Sequence, residues 1–78
     1  MKQYLVYLLI CSDNSIYCGM TNDLDKRLKA HQAGTASKYT RARLPVAVYK
    51  TFPVASKSEA LKLEYKIKSL SRAEKLKL

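Results

Sequence analysis

Seventy-eight residues are room for one domain, and a chain this short buries only about 60% of the surface its unfolded form exposes, so its core is marginal. Two cysteines, Cys11 and Cys18, are too few for a disulfide scaffold, and a 47% hydrophobic content is too high for a disordered tail. Fifteen Lys plus Arg against 6 Asp plus Glu, a net charge of +9, point to a polyanionic partner, the alternative being a surface that is basic only for solubility.

Met1-Lys2-Gln3 leads into an apolar run, Tyr4 to Cys11, that is too short to span a bilayer and lacks a small-residue cleavage site. The run is apolar on both faces, so it reads as a strand covered on both sides. No basic helix also displays bulky aromatics, so a membrane partner is not expected, and free thiols without a leader predict a cytoplasmic location. Ser12 to Ser15 is a turn by composition, and Ile16 to Met20 is a second strand, making a hairpin. A two-residue turn sets Tyr7 and Tyr17 on opposite faces. A three-residue turn, Ser12-Asp13-Asn14, sets them on the same face. Asn14 tolerates the left-handed conformation that this second turn requires, which favours it. Tyr17 then lies opposite Leu9, with Tyr7 one diagonal step away. Spacing alone leaves open whether the two phenols are chemical groups or core tyrosines. In this register Cys11 and Cys18 face opposite sides of the sheet and stay reduced.

A helix follows, capped by Thr21 or Asn22, with Asp23 and Asp25 in its first turn and Gly34 closing it. Leu24 and Leu28 mark its buried stripe. Arg27 and His31, four residues apart, stack beside that stripe at about 100° per residue. They are either chemical groups or a snorkelling arginine and a half-buried histidine. Residues 35–44 are a basic connector ended by Pro45. Residues 46–52 are a third strand. Ser56 and Glu59 form a capping box that opens a second helix to about Leu70. Residues 71–78 are a short further helix or a frayed end. The order β-β-α-β-α predicts one α+β domain over residues 1–78, a three-stranded sheet flanked by helices.

On the second helix Ala60, Leu63, Ile67 and Leu70 form the apolar stripe, with Leu61 and Tyr65 widening it. Glu64 falls inside this arc. A carboxylate there needs a partner, either a cation bound for chemistry or a salt bridge to Arg27 or Lys68.

These residues resemble a known family. Leu5-Val6-Tyr7 stands where the GIY-YIG nucleases carry Gly-Ile-Tyr, and Tyr17-Cys18-Gly19 stands for Tyr-Ile-Gly. Thr21-Asn22, Arg27, His31 and Glu64 follow in the family's order. The likeness is greatest to the small single-domain bacterial members, in Tyr17 to Asn22, Lys38 to Arg41 and Glu59 to Leu61. Leu5 and Cys18 depart from the motifs, and Met20 stands where many members have a lysine, so the electrostatic help of that lysine is absent or comes from elsewhere, such as Lys38 or Arg41.

The resemblance implies a metal-dependent DNA endonuclease that hydrolyses phosphodiesters and is structure-specific or weakly specific, with a role in DNA repair or recombination. Glu64 would hold one divalent ion, Mg²⁺ or Mn²⁺. Arg27 would brace the phosphate, and Tyr17 would act as general base. Tyr7 would position the water or share the proton, His31 would be a rival base, and Gly19 would allow close backbone approach. A free phenol titrates near 10, so such a base needs a cation beside it. Lys38, Tyr39, Thr40, Arg41 and Arg43 would track DNA, with Tyr39 available to stack on a base. Base-specific cutting would need a protein partner that supplies recognition. The alternatives are a basic nucleic-acid-binding module without catalysis and a subunit that docks an acidic protein.

Overall fold

The computed structural model describes residues 3–78. Its elements are β1 (Leu5–Ile10), β2 (Ile16–Thr21), α1 (Leu24–Gln32), α2 (Lys38–Arg41), β3 (Ala47–Pro53), α3 (Lys57–Lys68) and α4 (Arg72–Leu76). The fold is α+β, as the periodicities predict; α2 is a short helix added within the basic connector, and α4 settles the end of the chain as the further helix rather than a frayed end. The strands form an antiparallel sheet in the order β2-β1-β3. The strand that is apolar on both faces therefore lies in the middle.

The hairpin closes with the three-residue turn. Cys11 N donates to Ser15 O at 2.9 Å, Asn14 N donates to Cys11 O at 2.9 Å, and Asn14 sits at φ 66°. Asp13 secures the turn by accepting from the backbone and hydroxyl of Ser15. The resulting register pairs Leu9 with Tyr17 and Tyr7 with Gly19 on one face, and Leu8 with Cys18 on the other. On the second face Val6, Leu8, Ile16 and Cys18 pack with Ala60 and Ile67 of α3. On the first, Tyr7, Leu9 and Cys11 pack with Val46, Leu24 and Leu28. Both cysteines are buried and unbonded, one in each cluster. Burial pushes both thiols up, Cys18 to about 11.

Three local expectations are corrected. The N-cap of α1 is Asp23, whose side chain accepts from Lys26 N. Thr21 instead accepts from Asp23 N and so sets up the cap. At the start of α3 Ser56 caps as predicted, but Glu59 reaches past it to accept from Ala55 N. The reciprocal box is found at α4, between Ser71 and Glu74. Finally, Leu61 and Tyr65 do not widen the buried arc of α3, since both lie in solvent, so this lysine-rich helix does display an exposed aromatic, contrary to expectation. The end of α1 is as expected: Gly34, at φ 79°, follows the C-cap, and Thr35 N returns to Ala30 O at 3.0 Å. No helix among the described residues is long and apolar enough to cross a membrane.

Candidate active site

The hairpin register sets Tyr7 and Tyr17 side by side beneath α1, with ring centroids 6.4 Å apart. Helical spacing then sets His31 over both, with centroids at 5.8 Å from Tyr7 and 5.2 Å from Tyr17, each edge-on. The Tyr7 hydroxyl is 2.8 Å from His31 Nε2. On the far side of the ring His31 Nδ1 is 2.8 Å from Thr40 Oγ1. His31 and Thr40 are fully buried, and Tyr7 almost so. Thr40 Oγ1 donates in turn to Ser37 O at 3.3 Å.

The chain has one direction that leaves no buried proton without an acceptor among these groups. Thr40 spends its proton on Ser37 O, so it accepts from His31 Nδ1–H. The bare Nε2 then accepts from the Tyr7 hydroxyl. Thr40, expected to track DNA, is thus an internal group that holds the histidine tautomer. No sequence signal marks this, because His31 and Thr40 lie on different helices joined by a loop.

Gly19 leaves the space that the Tyr7 ring occupies. A Cβ there would stand 2.5 Å from the Tyr7 hydroxyl oxygen and 2.6 Å from Cζ. The role foreseen for Gly19, close backbone approach, is here an approach to Tyr7.

The Tyr7 phenol is pushed up to about 12, chiefly by burial. The Arg27 guanidinium opposes the rise, while Tyr17 and Glu64 add to it. Three of the other four expected catalytic residues thus act electrostatically at Tyr7, and the fourth, His31, is its hydrogen-bond partner. Arg27 is exposed as a residue, yet its guanidinium acts on both buried groups, Tyr7 and His31, and it shares a cleft of about 180 Å³ with Thr21, Asn22, Asp23, Lys26 and Ala30. Glu64 lies on α3, across the sheet from α1. Its carboxylate, 20% exposed, pairs with Lys68 Nζ at 3.2 Å. Of the two cations foreseen as its salt-bridge partner, Lys68 fills the place.

Burial, and then Arg27, lower the pKa of His31 below its ordinary 6.5. As pH falls, the unfolded chain therefore binds the proton first. The stability this group contributes is full above about 6.5 and declines below it. The melting temperature is expected to drop between pH 6.5 and 5.5, and to do so less in His31→Asn. Equal slopes in melts at the two pH values would contradict a buried neutral histidine.

The connector divides into pinned and free residues. Arg43 is pinned: Nε donates to Asp13 at 2.9 Å, Nη1 donates to Tyr39 O at 3.0 Å, and the guanidinium lies 3.9 Å over the Tyr39 ring. These contacts hold α2 against the hairpin turn and bring Tyr39 to 5.9 Å from Tyr17. Arg43 therefore covers the Tyr39 face that a base would need. Lys38 and Arg41 are exposed and line a cleft of about 380 Å³ with residues 34–37.

A family model described as the GIY-YIG catalytic domain matches residues 3–77. A UPF0213 protein of Bacillus velezensis is 49% identical over 74 residues, covering 95% of this chain and 75% of the relative. One of Halobacterium salinarum is 50% identical over 70 residues, covering 90% of this chain and 91% of the relative. The solution NMR structure of a UPF0213 protein from Bacillus halodurans matches with a TM-score of 0.59 and 45% identity, over 94% of this chain and 78% of that one. That of a protein from E. faecalis matches with a TM-score of 0.69 and 38% identity, over 99% and 82%.

Proposed function

We propose, because this chain belongs to the GIY-YIG catalytic-domain family, that it is a metal-dependent endonuclease hydrolysing DNA phosphodiesters. The observation that carries the reading is the buried chain from Tyr7 through His31 to Thr40, with Arg27 and Glu64 both acting on its outer end.

On this reading the base role belongs to Tyr7 in place of Tyr17, supported by the bond from Tyr7 to His31. A phenol at about 12 is ionised in only roughly one molecule in 10⁵ at pH 7. Tyr7 need not ionise beforehand, since His31 Nε2 stands ready for its proton. A water gives its proton to the Tyr7 oxygen as the Tyr7 proton moves to Nε2. The water oxygen bonds to phosphorus, and the bond to the leaving oxygen breaks. Burial and Arg27 make the imidazolium a poor resting state, so Nε2 returns its proton to the Tyr7 oxygen, which gives up one of its own to the leaving oxygen or to solvent, restoring the site. Tyr17 walls the site and orients His31 through its edge contact. Arg27, in its cleft, binds the phosphoryl oxygens.

Among the described residues no three His, Cys, Asp or Glu side chains cluster as a metal cage. One half-buried carboxylate, completed by waters and substrate oxygens, suits Mg²⁺ or Mn²⁺ and not a structural zinc. Glu64 would hold the ion, which when bound supplies Lewis-acid stabilisation of charge on the phosphoryl and leaving oxygens.

The test is cleavage of branched, single-stranded and duplex DNA by the purified chain with Mg²⁺ or Mn²⁺. Divalent-dependent cutting is expected, with an acid limb below pH 6.5 as His31 takes up its proton. Binding without cutting of any substrate would leave a nucleic-acid-binding module.

Affinity is expected to be largely electrostatic. Neutralising Lys38 and Arg41 together should flatten the dependence of log K on log salt by about 0.9 per lost phosphate contact. Arg43→Gln should change the slope less, since its charge is already paired with Asp13. Equal effects in binding titrations from low to high salt would place the interface elsewhere.

A further inference from the structure

α3 turns to solvent a face that the candidate site does not use. Tyr65 is 82% exposed and Leu61 is 51% exposed. Four residues apart, they line up in one stripe, and Lys62 and Lys66, both exposed, form the stripe beside it. The helix's own carboxylates are engaged elsewhere, Glu59 at Ala55 N and Glu64 at Lys68. Among the described residues neither Lys62 nor Lys66 is ion-paired with an acid, so the two repel each other on the helix. Local helix energetics do not favour that pair, and a polyanion would. A tyrosine so exposed adds little to the core, yet it offers a flat aromatic face beside a row of positive charge.

The occupant is fixed by this chemistry. A double helix hides the faces of its bases and meets only the lysines. A second copy of the chain docking face to face would bring Lys62 and Lys66 against their own counterparts. An unpaired strand meets both features, with phosphates for the lysines and a base for the ring. The place of the face agrees: Glu64 adjoins Leu61 and Lys68 on the helix surface, so the stripe begins beside the carboxylate of the candidate site.

We propose that the outer face of α3 is a track for a single-stranded segment of the nucleic-acid substrate. Tyr65 stacks on a base, and Lys62 and Lys66 hold phosphates. The proposal rests on the nuclease reading for its partner and narrows the substrate to DNA with an unpaired segment next to the cut.

The chain contains no tryptophan, so Tyr65→Trp installs a single reporter at an exposed position. It is titrated with oligothymidine and with a blunt hairpin duplex in EDTA, alongside the anisotropy of labelled oligonucleotides on the parent chain. The expected result is quenching by oligothymidine that exceeds quenching by the duplex. Tyr65→Ala should bind oligothymidine roughly tenfold more weakly, while Tyr65→Phe matches the parent. Oligothymidine binding with silent tryptophan fluorescence and a parent-like Tyr65→Ala would overturn the track. If the parent chain still cuts DNA with Mn²⁺, the nuclease reading survives that outcome. Quenching without cutting by the parent would keep the track and sink the nuclease. A concentration-dependent mass in sedimentation that Tyr65→Ala removes, with oligonucleotide affinity unchanged, would assign the face to self-association and overturn the track as well.

Discussion

Glu64→Gln is expected to lower cleavage by roughly a hundredfold or more, while the protein melts almost where the parent does and binds DNA as well or better. The substitution keeps the side chain's shape and removes its charge. Structurally the loss is small. Glu64 pairs with a lysine that is itself 51% exposed, and an i,i+4 pair of this kind stabilises a helix by only about 0.2–0.5 kcal/mol. Lys68 simply returns to solvent. Functionally the loss is large, because no group of three or more His, Cys, Asp or Glu among the described residues could hold a cation in its place. Removing a negative charge beside a phosphate also lifts a repulsion, so affinity and turnover should move in opposite directions. Thermal melting, Mn²⁺ titration and a cleavage assay on this one variant separate the cases. A variant that cuts normally with unchanged Mn²⁺ affinity would remove Glu64 from the chemistry. A melting point many degrees lower would make it a structural charge.

Gly19→Ala attacks the other side of the site. The new Cβ would meet the Tyr7 hydroxyl oxygen at 2.5 Å, Cζ at 2.6 Å and Tyr17 Cε2 at 3.1 Å. Tyr7 is buried and bonded to His31, and Gly19 is paired with it across the hairpin, so neither side can yield cheaply. Overpacking of this kind costs about 1–3 kcal/mol, which in so small a domain lowers the melting temperature by roughly 4–8 °C per kcal/mol. Displacing the ring also breaks the bond to Nε2, so cleavage should fall further than stability does. In a Tyr7→Leu background, which lacks the clashing atoms, Gly19→Ala should cost at least about 1 kcal/mol less. A single mutant that melts and cuts like the parent would mean that Tyr7 does not lie against Gly19.

Much of this site is local chemistry and was legible in the sequence. Asn14 is a residue that accepts the left-handed turn, and one extra turn residue decides strand parity, so the shared face of Tyr7 and Tyr17 follows. Helical spacing stacks Arg27 with His31, and the apolar run Tyr4–Cys11, without a polar face, has to be covered on both sides, as β1 is by the two core clusters. Periods of 2 and 3.6 set the phase of each element, and phase is a short-range property.

Tertiary structure alone decided how wide each buried arc is and which distant groups meet. The wheel of α3 includes Leu61 and Tyr65, but α3 presses on β1 and β2 through Ala60 and Ile67, and those two side chains fall beyond the contact. Thr40 reaches His31 only because Arg43 and Asp13, thirty residues apart, dock the connector on the hairpin turn. The cap of α1 settled on Asp23 after Thr21 was drawn to Asp23 N. Such pairings depend on how loops close over a packed core, and a periodicity along the chain has no information about what stands across the gap.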